Sequence, residues 1–178
     1  MKSKIKSLCE ISLFVSLMAI CAWITIPFAI PFTLQTFAVF LCCLYLGGKK
    51  AIISTAVYIF TGIIGVPVFS SFSSGIGALL GATGGFLLGF MLITVVYYIF
   101  TTLFGNRNII KITGCISGTL ICYIFGTVWY ILLYSGGDDS LLKSLYACVI
   151  PFIIPDALKL FLAYSVYAKI TGALSIKK

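Results

Sequence analysis

The chain has 178 residues, of which 61% are hydrophobic and 9% are charged, and its mean hydropathy is +1.19. A soluble domain carries about a quarter of charged residues, so this composition excludes a soluble globular protein and predicts one polytopic membrane domain over 1–178. The sequence has no histidine, which excludes the common catalytic triads and histidine-ligated zinc. We therefore predict no catalytic residues, no metal site and no cofactor.

Apolar tracts predict an all-α bundle of six transmembrane helices, at about 8–25, 34–46, 51–64, 82–104, 109–134 and 152–171. A span needs roughly 20 apolar residues, so the short second and third helices are expected to be tilted or shielded. Within the last span we expect the regular helix to begin at Pro155, because proline is favoured at a first helical position. The first tract lacks a cleavage site and is expected to be a retained helix rather than a signal peptide.

The basic residues predict the orientation of these six spans. On the six-span count ten of them fall on one side of the membrane, namely Lys2, Lys4, Lys6, Lys49, Lys50, Arg107, Lys111, Lys169, Lys177 and Lys178. The other side carries only Lys143, beside Asp138 and Asp139. By the positive-inside rule both termini are expected in the cytoplasm of a multi-pass cell-membrane protein. The net charge of +8 is thus explained without a nucleic-acid partner.

Two ionisable residues, Asp156 and Lys159, lie inside the last predicted span, in the stretch "IPDALKL". Each costs about 2.5–3.5 kcal/mol on insertion scales, so such residues suggest a functional site. They are three positions apart and share one helix face, near the external end and in the predicted first turn. Two interpretations stay open here: a salt bridge that only allows insertion, or a polar patch facing a cavity open to the outside.

Small residues form two further patterns. Gly77, Gly81, Gly85 and Gly89 recur every four residues, which favours close helix packing, although glycines near a loop can also let the backbone approach a ligand. Ser12 and Ser16 form a small-residue pair on the first helix, which fits internal packing or docking of another membrane helix. No phosphate-binding GxxxxGK[ST] motif occurs, so any transport would draw energy from a gradient or a partner.

Three stretches resemble the BioY family, the biotin-specific substrate-binding (S) components of energy-coupling factor (ECF) transporters. They are "IPFTLQTFAVFLCCLYLGGKKA", "GVPVFSSFSSGIGALLGATGGFLLGF" and "IPDALKLFLAY", and the resemblance covers nearly the whole chain. It implies a six-helix S-component fold and a subunit without enzymatic activity that captures biotin from outside. It also implies partnership with a transmembrane coupling (T) subunit and two ATP-hydrolysing subunits.

The resemblance also implies a set of binding residues. The family's Asp-x-x-Lys matches Asp156 and Lys159, which we expect to accept from the ureido N–H groups of biotin and to donate to its carbonyl. Further expected substrate contacts are Ser71, Thr83, Gly75 and Gly84 over the ring, and Gln35, with Thr36, toward the carboxylate. Ser12 and Ser16 are expected to contact the coupling subunit. Independently of the resemblance, six aromatic residues are candidates either for apolar walls of a ligand site or for anchors at the membrane interface, namely Phe28, Phe32, Phe69, Phe72, Trp129 and Tyr130.

The chain departs from the family pattern at several positions. The usual Gly-Pro-Thr-Gly-Gly-Tyr reads "GATGGF" at 81–86, Ser71 stands where relatives can carry Asn, and the coupling motif has serine instead of alanine. Two other functions remain as alternatives, an S component for thiamine or riboflavin and a structural membrane protein without transport activity. Bound vitamin would discriminate between them.

Overall fold

The structure, a computed structural model, describes residues 2–26, 31–133 and 141–176, and it is almost entirely helical there. Phe28, Asp138, Asp139, Lys177 and Lys178 lie outside the described residues, and the side chains of Lys2 and Lys143 are also not described. The helices are α1 (Lys2–Trp23), α2 (Gln35–Leu46), α3 (Gly48–Ile63), α4 (Gly75–Leu80), α5 (Gly84–Phe104), α6 (Asn108–Leu133), α7 (Leu141–Cys148) and α8 (Ile150–Ile176). A 3₁₀ turn at Ser70–Phe72 and two short strands, β1 (Thr25–Ile26) and β2 (Phe32–Thr33), complete the described part.

Four helices in the described part are long and apolar enough to cross a membrane, at Lys4–Trp23, Gly84–Phe104, Asn108–Leu133 and Ser144–Ala173. The membrane-bundle prediction is confirmed in this form, while the six-span count and the cytoplasmic termini stay predictions. The predicted start of the last helix at Pro155 is wrong. α8 begins at Ile150 and continues through Pro155, so Asp156 lies in the second turn, not the first.

The short helix α2 is shielded, as expected, and lies at the centre of the bundle. It packs between α8, α1, α3 and α5, and most of its twelve residues are buried. Gly47 ends α2 with a positive φ of 78° and donates its N–H to the carbonyl of Cys43, after which α3 begins at once. Because α2 exposes little to lipid, it needs fewer apolar residues than a lipid-facing span.

Glycine sets the close packing of α5 against α6. A Cβ added at Gly118 would lie 2.8 Å from the Cα of Ile93 on α5, and one at Gly89 would overlap the Sγ of Cys122 on α6. Gly85 meets Trp129 in the same way, whereas nothing lies within 4 Å of a Cβ added at Gly77. The four-residue glycine pattern therefore serves helix packing at Gly85 and Gly89 and does not serve it at Gly77.

Side-chain contacts define the two ends of the bundle. At one end Glu10 of α1 forms a salt bridge of 2.7 Å with Lys50 of α3, and Gly48 packs against Tyr98 of α5. We call this end, which also carries Arg107 and Lys111, the basic end. At the opposite end β2 pairs with β1, and the loop over 64–83 is tied to α1 and α6. The opposite end therefore carries both loops, and one of them, through Phe32 of β2, contacts Lys159 of α8.

Candidate functional site

Asp156 and Lys159 form a buried ion pair on one face of α8. The Nζ of Lys159 donates to Oδ1 of Asp156 at 2.8 Å, and the two side chains are 5% and 8% exposed. The hydroxyl of Tyr123 on α6 donates to Oδ2 of the same carboxylate at 2.6 Å. A carboxylate has about four lone-pair sites and an ammonium three donors, so both groups retain capacity for a ligand.

The segment between α1 and α2, which we call the first loop, contacts the ammonium group of this pair through Phe32 of β2. The Nζ of Lys159 lies 4.0 Å from the centroid of the Phe32 ring, which is the geometry of a cation–π contact. The Phe32 ring in turn stacks on Phe152 of α8, with centroids 6.0 Å apart. Pairing of Phe32 with Ile26 fixes the strand that presents the ring. The ammonium group is thus held between a carboxylate and an aromatic face.

A small cavity of about 50 Å³ opens beside the ion pair. The first loop and α2 contribute Pro31, Thr33 and Thr36 to its wall, and α5 contributes Phe86, Phe90 and Ile93. The remaining lining residues come from α6, α7 and α8 and are Thr119, Cys122, Tyr123, Cys148, Phe152, Asp156 and Lys159. The cavity therefore combines one charged patch and a few hydroxyls with apolar and aromatic walls, the composition of small-molecule sites.

A family model described as the BioY family matches residues 1–176 of this chain. The chain belongs to the BioY family. The probable biotin transporter BioY of Pyrococcus horikoshii is 33% identical over 170 residues, which is 95% of this chain and 98% of that protein. The biotin transporter BioY of Thermotoga maritima is 33% identical over 159 residues, which is 89% of this chain and 91% of that protein. The prediction of a transport protein without enzymatic activity agrees with these names.

Two solved structures share the BioY-family fold seen here. One is the crystal structure of the S component for biotin from an ECF-type ABC transporter, with a TM-score of 0.84, 21% identity and coverage of 96% of this chain and 93% of that one. The other is the S component of a bacterial ECF transporter, with a TM-score of 0.55, 16% identity and coverage of 96% and 98%. The predicted S-component-like fold is confirmed.

Within this BioY-family chain, six predicted substrate-binding residues are not among the residues that line the cavity, namely Gln35, Ser71, Gly75, Thr83, Gly84 and Tyr130. Gln35 is buried and donates from Nε2 to the hydroxyl of Tyr58 at 2.6 Å, and Tyr58 donates to the carbonyl of Val68. Gln35 therefore links α2 to α3 and to the loop over 64–83, which we call the second loop. Thr36, the weaker candidate, does line the cavity.

The other predicted loop contacts belong to the backbone of the 64–83 loop. Ser71 is exposed, with a positive φ of 55°, and Gly75 has a φ of 83°. Both conformations are disfavoured for most L-residues and tolerated by Asn or Gly. The carbonyl of Thr83 accepts from the N–H groups of Phe86 and Leu87 at the start of α5, and a Cβ at Gly84 would overlap the carbonyl of Leu79. These residues shape the loop in the structure, and their contact with a ligand stays a prediction.

None of the predicted aromatic walls that the structure describes is among the residues that line the cavity, although Phe32 lies beside it. Phe32 contacts Lys159 directly, as described above. Phe69 is fully buried against Tyr58, and Phe72 stacks on Trp23 with centroids 5.0 Å apart. Trp129 donates from Nε1 to the carbonyl of Gly81 at 3.2 Å. Three of these side chains therefore hold the second loop in place and do not line the cavity.

Sequence reasoning missed several residues that line the cavity, above all Tyr123. It lies 33 positions before Asp156, in a tract without charge, so no local pattern identifies it. Phe90 and Phe152 were missed because aromatic residues are common in every span of this chain. Phe86 was noted only as a departure from the family tyrosine. The i, i+4 spacing of Thr119 and Tyr123 on one face of α6 is the one weak signal that was available.

Ser12 and Ser16 lie on the exposed face of α1, a helix that contributes no residue to the cavity lining. They line a shallow surface groove with Leu13, Leu17 and Ile20. The hydroxyl of Ser16 donates to the carbonyl of Ser12 at 3.0 Å, so its hydrogen bond is satisfied within α1. A groove of small and apolar side chains on a membrane helix is suited to the close approach of another helix.

Proposed function

We propose that this chain is the biotin-binding S component of an ECF transporter, which captures biotin from outside the cell and delivers it inward. The observation that carries this proposal is the buried Asp156–Lys159 pair, which presents an acceptor and a donor in an apolar cavity. Membership of the BioY family and relatives named as biotin transporters support it. On this proposal the basic end of the bundle faces the cytoplasm.

The chemistry of biotin matches the pair and its surroundings. The ureido ring offers two N–H donors and one carbonyl acceptor, so Asp156 accepts from N–H and Lys159 donates to the carbonyl. Tyr123 holds the carboxylate in place through Oδ2 and leaves its other lone pairs available. Phe86, Phe90 and Phe152 form apolar walls for the sulfur-containing ring and the aliphatic chain. Thr33 and Thr36 provide hydroxyls for the carboxylate end.

Biotin requires the cavity to widen. The cavity measures about 50 Å³, whereas sites for drug-sized ligands are about 300–1,000 Å³. The Phe32–Phe152 stack and the contact of Phe32 with Lys159 join the first loop to α8 beside the cavity. On entry of biotin, Phe32 therefore moves away from Phe152 and from Lys159. The ureido oxygen of biotin then takes the place of the Phe32 ring beside the Lys159 ammonium group.

The surface of α1 supports the proposed contact with the coupling subunit. Ser12 and Ser16 in their groove accommodate a helix of the coupling (T) subunit, and two ATP-hydrolysing subunits of the module supply the energy. The sequence contains no GxxxxGK[ST] motif, so on this proposal ATP is hydrolysed by the partner subunits. This assignment rests on the groove and on the ECF transporters named among the structural neighbours.

Biotin titration of the purified protein tests the proposal, with calorimetry and thermal unfolding as readouts. We expect binding by the wild type and a loss of at least roughly tenfold in affinity for Asp156→Asn and Lys159→Met, because charge-assisted hydrogen bonds contribute about 1.5–3 kcal/mol each. Ser165→Ala on the same helix is the matched control, since its hydroxyl bonds only to the Phe161 carbonyl. Unchanged affinity in both charge variants would overturn the site. Binding of thiamine or riboflavin instead of biotin would overturn the substrate.

A further inference from the structure

A groove larger than the cavity of the candidate site lies between α6 and α8. Two side-chain hydrogen bonds link these helices, from Tyr123 to Asp156 at 2.6 Å and from Lys111 to the hydroxyl of Tyr167 at 2.7 Å. As the residue number falls along α6 it rises along α8, so the helices are antiparallel and the two links lie at different depths. Between them runs a groove of about 510 Å³.

The groove is apolar and opens toward the surroundings of the bundle. Ile116 and Leu120 of α6 and Ile153, Leu160 and Phe161 of α8 form most of its lining. Leu120 is 56% exposed and Phe161 68% exposed, so the groove is accessible from the side. Both helices are candidate membrane spans. The middle of a membrane span is surrounded by the hydrocarbon of the bilayer, and an apolar groove that opens to the bilayer can bind lipid acyl chains.

Just beyond the groove lining, toward the basic end, lies Lys111, which precedes the lining residue Ile112 and lacks a described counter-ion. Lys111 is 7% exposed, and its Nζ contacts the hydroxyl of Tyr167 and lies 4.8 Å from the centre of that ring. Of the two acidic side chains that the structure describes, Glu10 pairs with Lys50 and Asp156 pairs with Lys159. A buried ammonium without an anion is costly, so this position favours an anionic ligand group.

We infer that the groove between α6 and α8 binds one anionic phospholipid. Its phosphate accepts a hydrogen bond from Lys111, and one acyl chain lies along Ile116 and Leu120 toward Tyr123. Lys111 and Tyr123 are twelve positions apart, which corresponds to about 18 Å along a helix. This length is close to the roughly 15 Å thickness of the hydrocarbon in one leaflet. The exposed Arg107 and Lys169 flank Lys111 and Tyr167 in sequence and add positive charge at this end.

The groove and the cavity of the candidate site share a wall. Thr119, Tyr123 and Asp156 line both, so the far end of the acyl chain lies against the residues that hold the carboxylate. The lipid thus shields the Tyr123–Asp156 hydrogen bond from the side of the membrane. Its binding depends on Lys111 and the groove and does not require biotin.

Native mass spectrometry of the full chain, released from nanodiscs with equal amounts of phosphatidylglycerol and phosphatidylcholine, tests this inference. We expect the wild type to retain phosphatidylglycerol preferentially and Lys111→Met to reduce the ratio of the two lipids roughly fivefold. Lys111→Arg should keep the preference. Lys49→Met is the matched control, because Lys49 is exposed at the same end of the bundle and lies on α3, away from the groove.

A second variant tests the groove independently of the charge. Leu120→Trp fills the groove and should reduce the retention of both lipids, whereas Ile124→Trp, on an exposed residue of α6 outside the groove lining, should not. An unchanged lipid ratio in Lys111→Met, or full retention in Leu120→Trp, would overturn the inference. The inference would also be overturned if the wild type retained neither lipid, or if a second copy of the chain occupied the groove.

Discussion

At the scale of single residues, the ion pair of α8 is bound into a wider set of contacts. Asp156 accepts from Lys159 and from Tyr123, while Lys159 also contacts the Phe32 ring. Removal of Lys159 and removal of Asp156 therefore have different consequences for the group that remains. Asp156 keeps a hydrogen-bond donor without Lys159, whereas Lys159 has no other carboxylate near it among the described residues.

This asymmetry predicts the stability of charge variants in the absence of ligand. Asp156→Asn and Lys159→Met should each lower the free energy of unfolding by about 3–5 kcal/mol, because each leaves a buried charge unpaired. The loss should be larger for Asp156→Asn, and the double variant should lose less than the sum of the two. Denaturant unfolding in mixed micelles, followed by tryptophan fluorescence, measures this.

The control for this comparison of single and double variants is the partly exposed pair of Glu10 and Lys50. Their side chains are 21% and 37% exposed, and solvent screening limits such a pair to about 1 kcal/mol at most. Lys50→Met should therefore change stability little. Strictly additive losses at Asp156 and Lys159 would show that the two groups do not interact energetically.

The sequence alone identified this pair because charge is rare in the last span, and it could not identify Tyr123. A tyrosine in an apolar helix has no distinguishing pattern, and its role arises only when α6 packs beside α8. Gln35 shows the same limit from the other direction. Its position just after the first loop suggested contact with the carboxylate of biotin, and the structure shows in addition that its amide donates to the hydroxyl of Tyr58. Local sequence does not reveal which partner a polar group finds across the bundle.

At the scale of helices, the hairpin of α5 and α6 is the most closely packed unit. At Gly89, Gly118 and Gly126 an added Cβ would overlap atoms of the opposite helix, and at Gly114 it would lie a tight 3.2 Å from the Cβ of Phe100. The same hairpin supplies Phe86, Phe90 and Ile93 from one helix and Thr119, Cys122 and Tyr123 from the other. The close packing of α5 against α6 therefore fixes the positions of these lining residues relative to one another.

Gly118→Ala tests the importance of this packing. The added Cβ would lie 2.8 Å from the Cα of Ile93, and backbone cannot move as a side chain does. We expect a loss of about 1–3 kcal/mol in unfolding free energy, together with weaker biotin binding. Gly77→Ala is the matched control, because its Cβ would meet nothing within 4 Å. Equal stability of the two variants would contradict the packing role.

The boundaries of the helices were predicted with uneven success. The glycine and lysine stretch after α2 ended that helix as expected, since Gly47 adopts a positive φ there. Pro155 misled the prediction of α8, because the helix continues through it instead of starting there. The short helices α4 and α7 were not predicted, since six or eight residues contain too few turns to give a clear period.

At the scale of the whole molecule, the candidate site and the surface groove of Ser12 and Ser16 lie on different helices. No residue that lines the cavity belongs to α1. Binding and coupling can therefore be separated by mutation if the proposed function is correct. This separation distinguishes a defect in the transport complex from a defect in the ligand site.

Ser16→Trp is expected to abolish biotin uptake in cells or in vesicles that contain the complete module, while leaving the biotin affinity of the isolated chain unchanged within about twofold. The large ring blocks close approach of a partner helix on α1. Ile124→Trp places the same ring on the exposed face of α6 and should transport normally. Uptake by Ser16→Trp at the wild-type rate would place the coupling surface elsewhere.

The far end of α1 carries a further link of Trp23 to the second loop. Its Nε1 donates to the carbonyl of Pro67 at 2.9 Å, and its ring stacks on Phe72. Ser16 and Trp23 are seven residues, about two turns, apart on one continuous helix. The second loop and the surface proposed for coupling are therefore connected by one continuous helix. A displacement of that loop acts on α1 through Trp23, and α1 also carries the surface proposed for coupling.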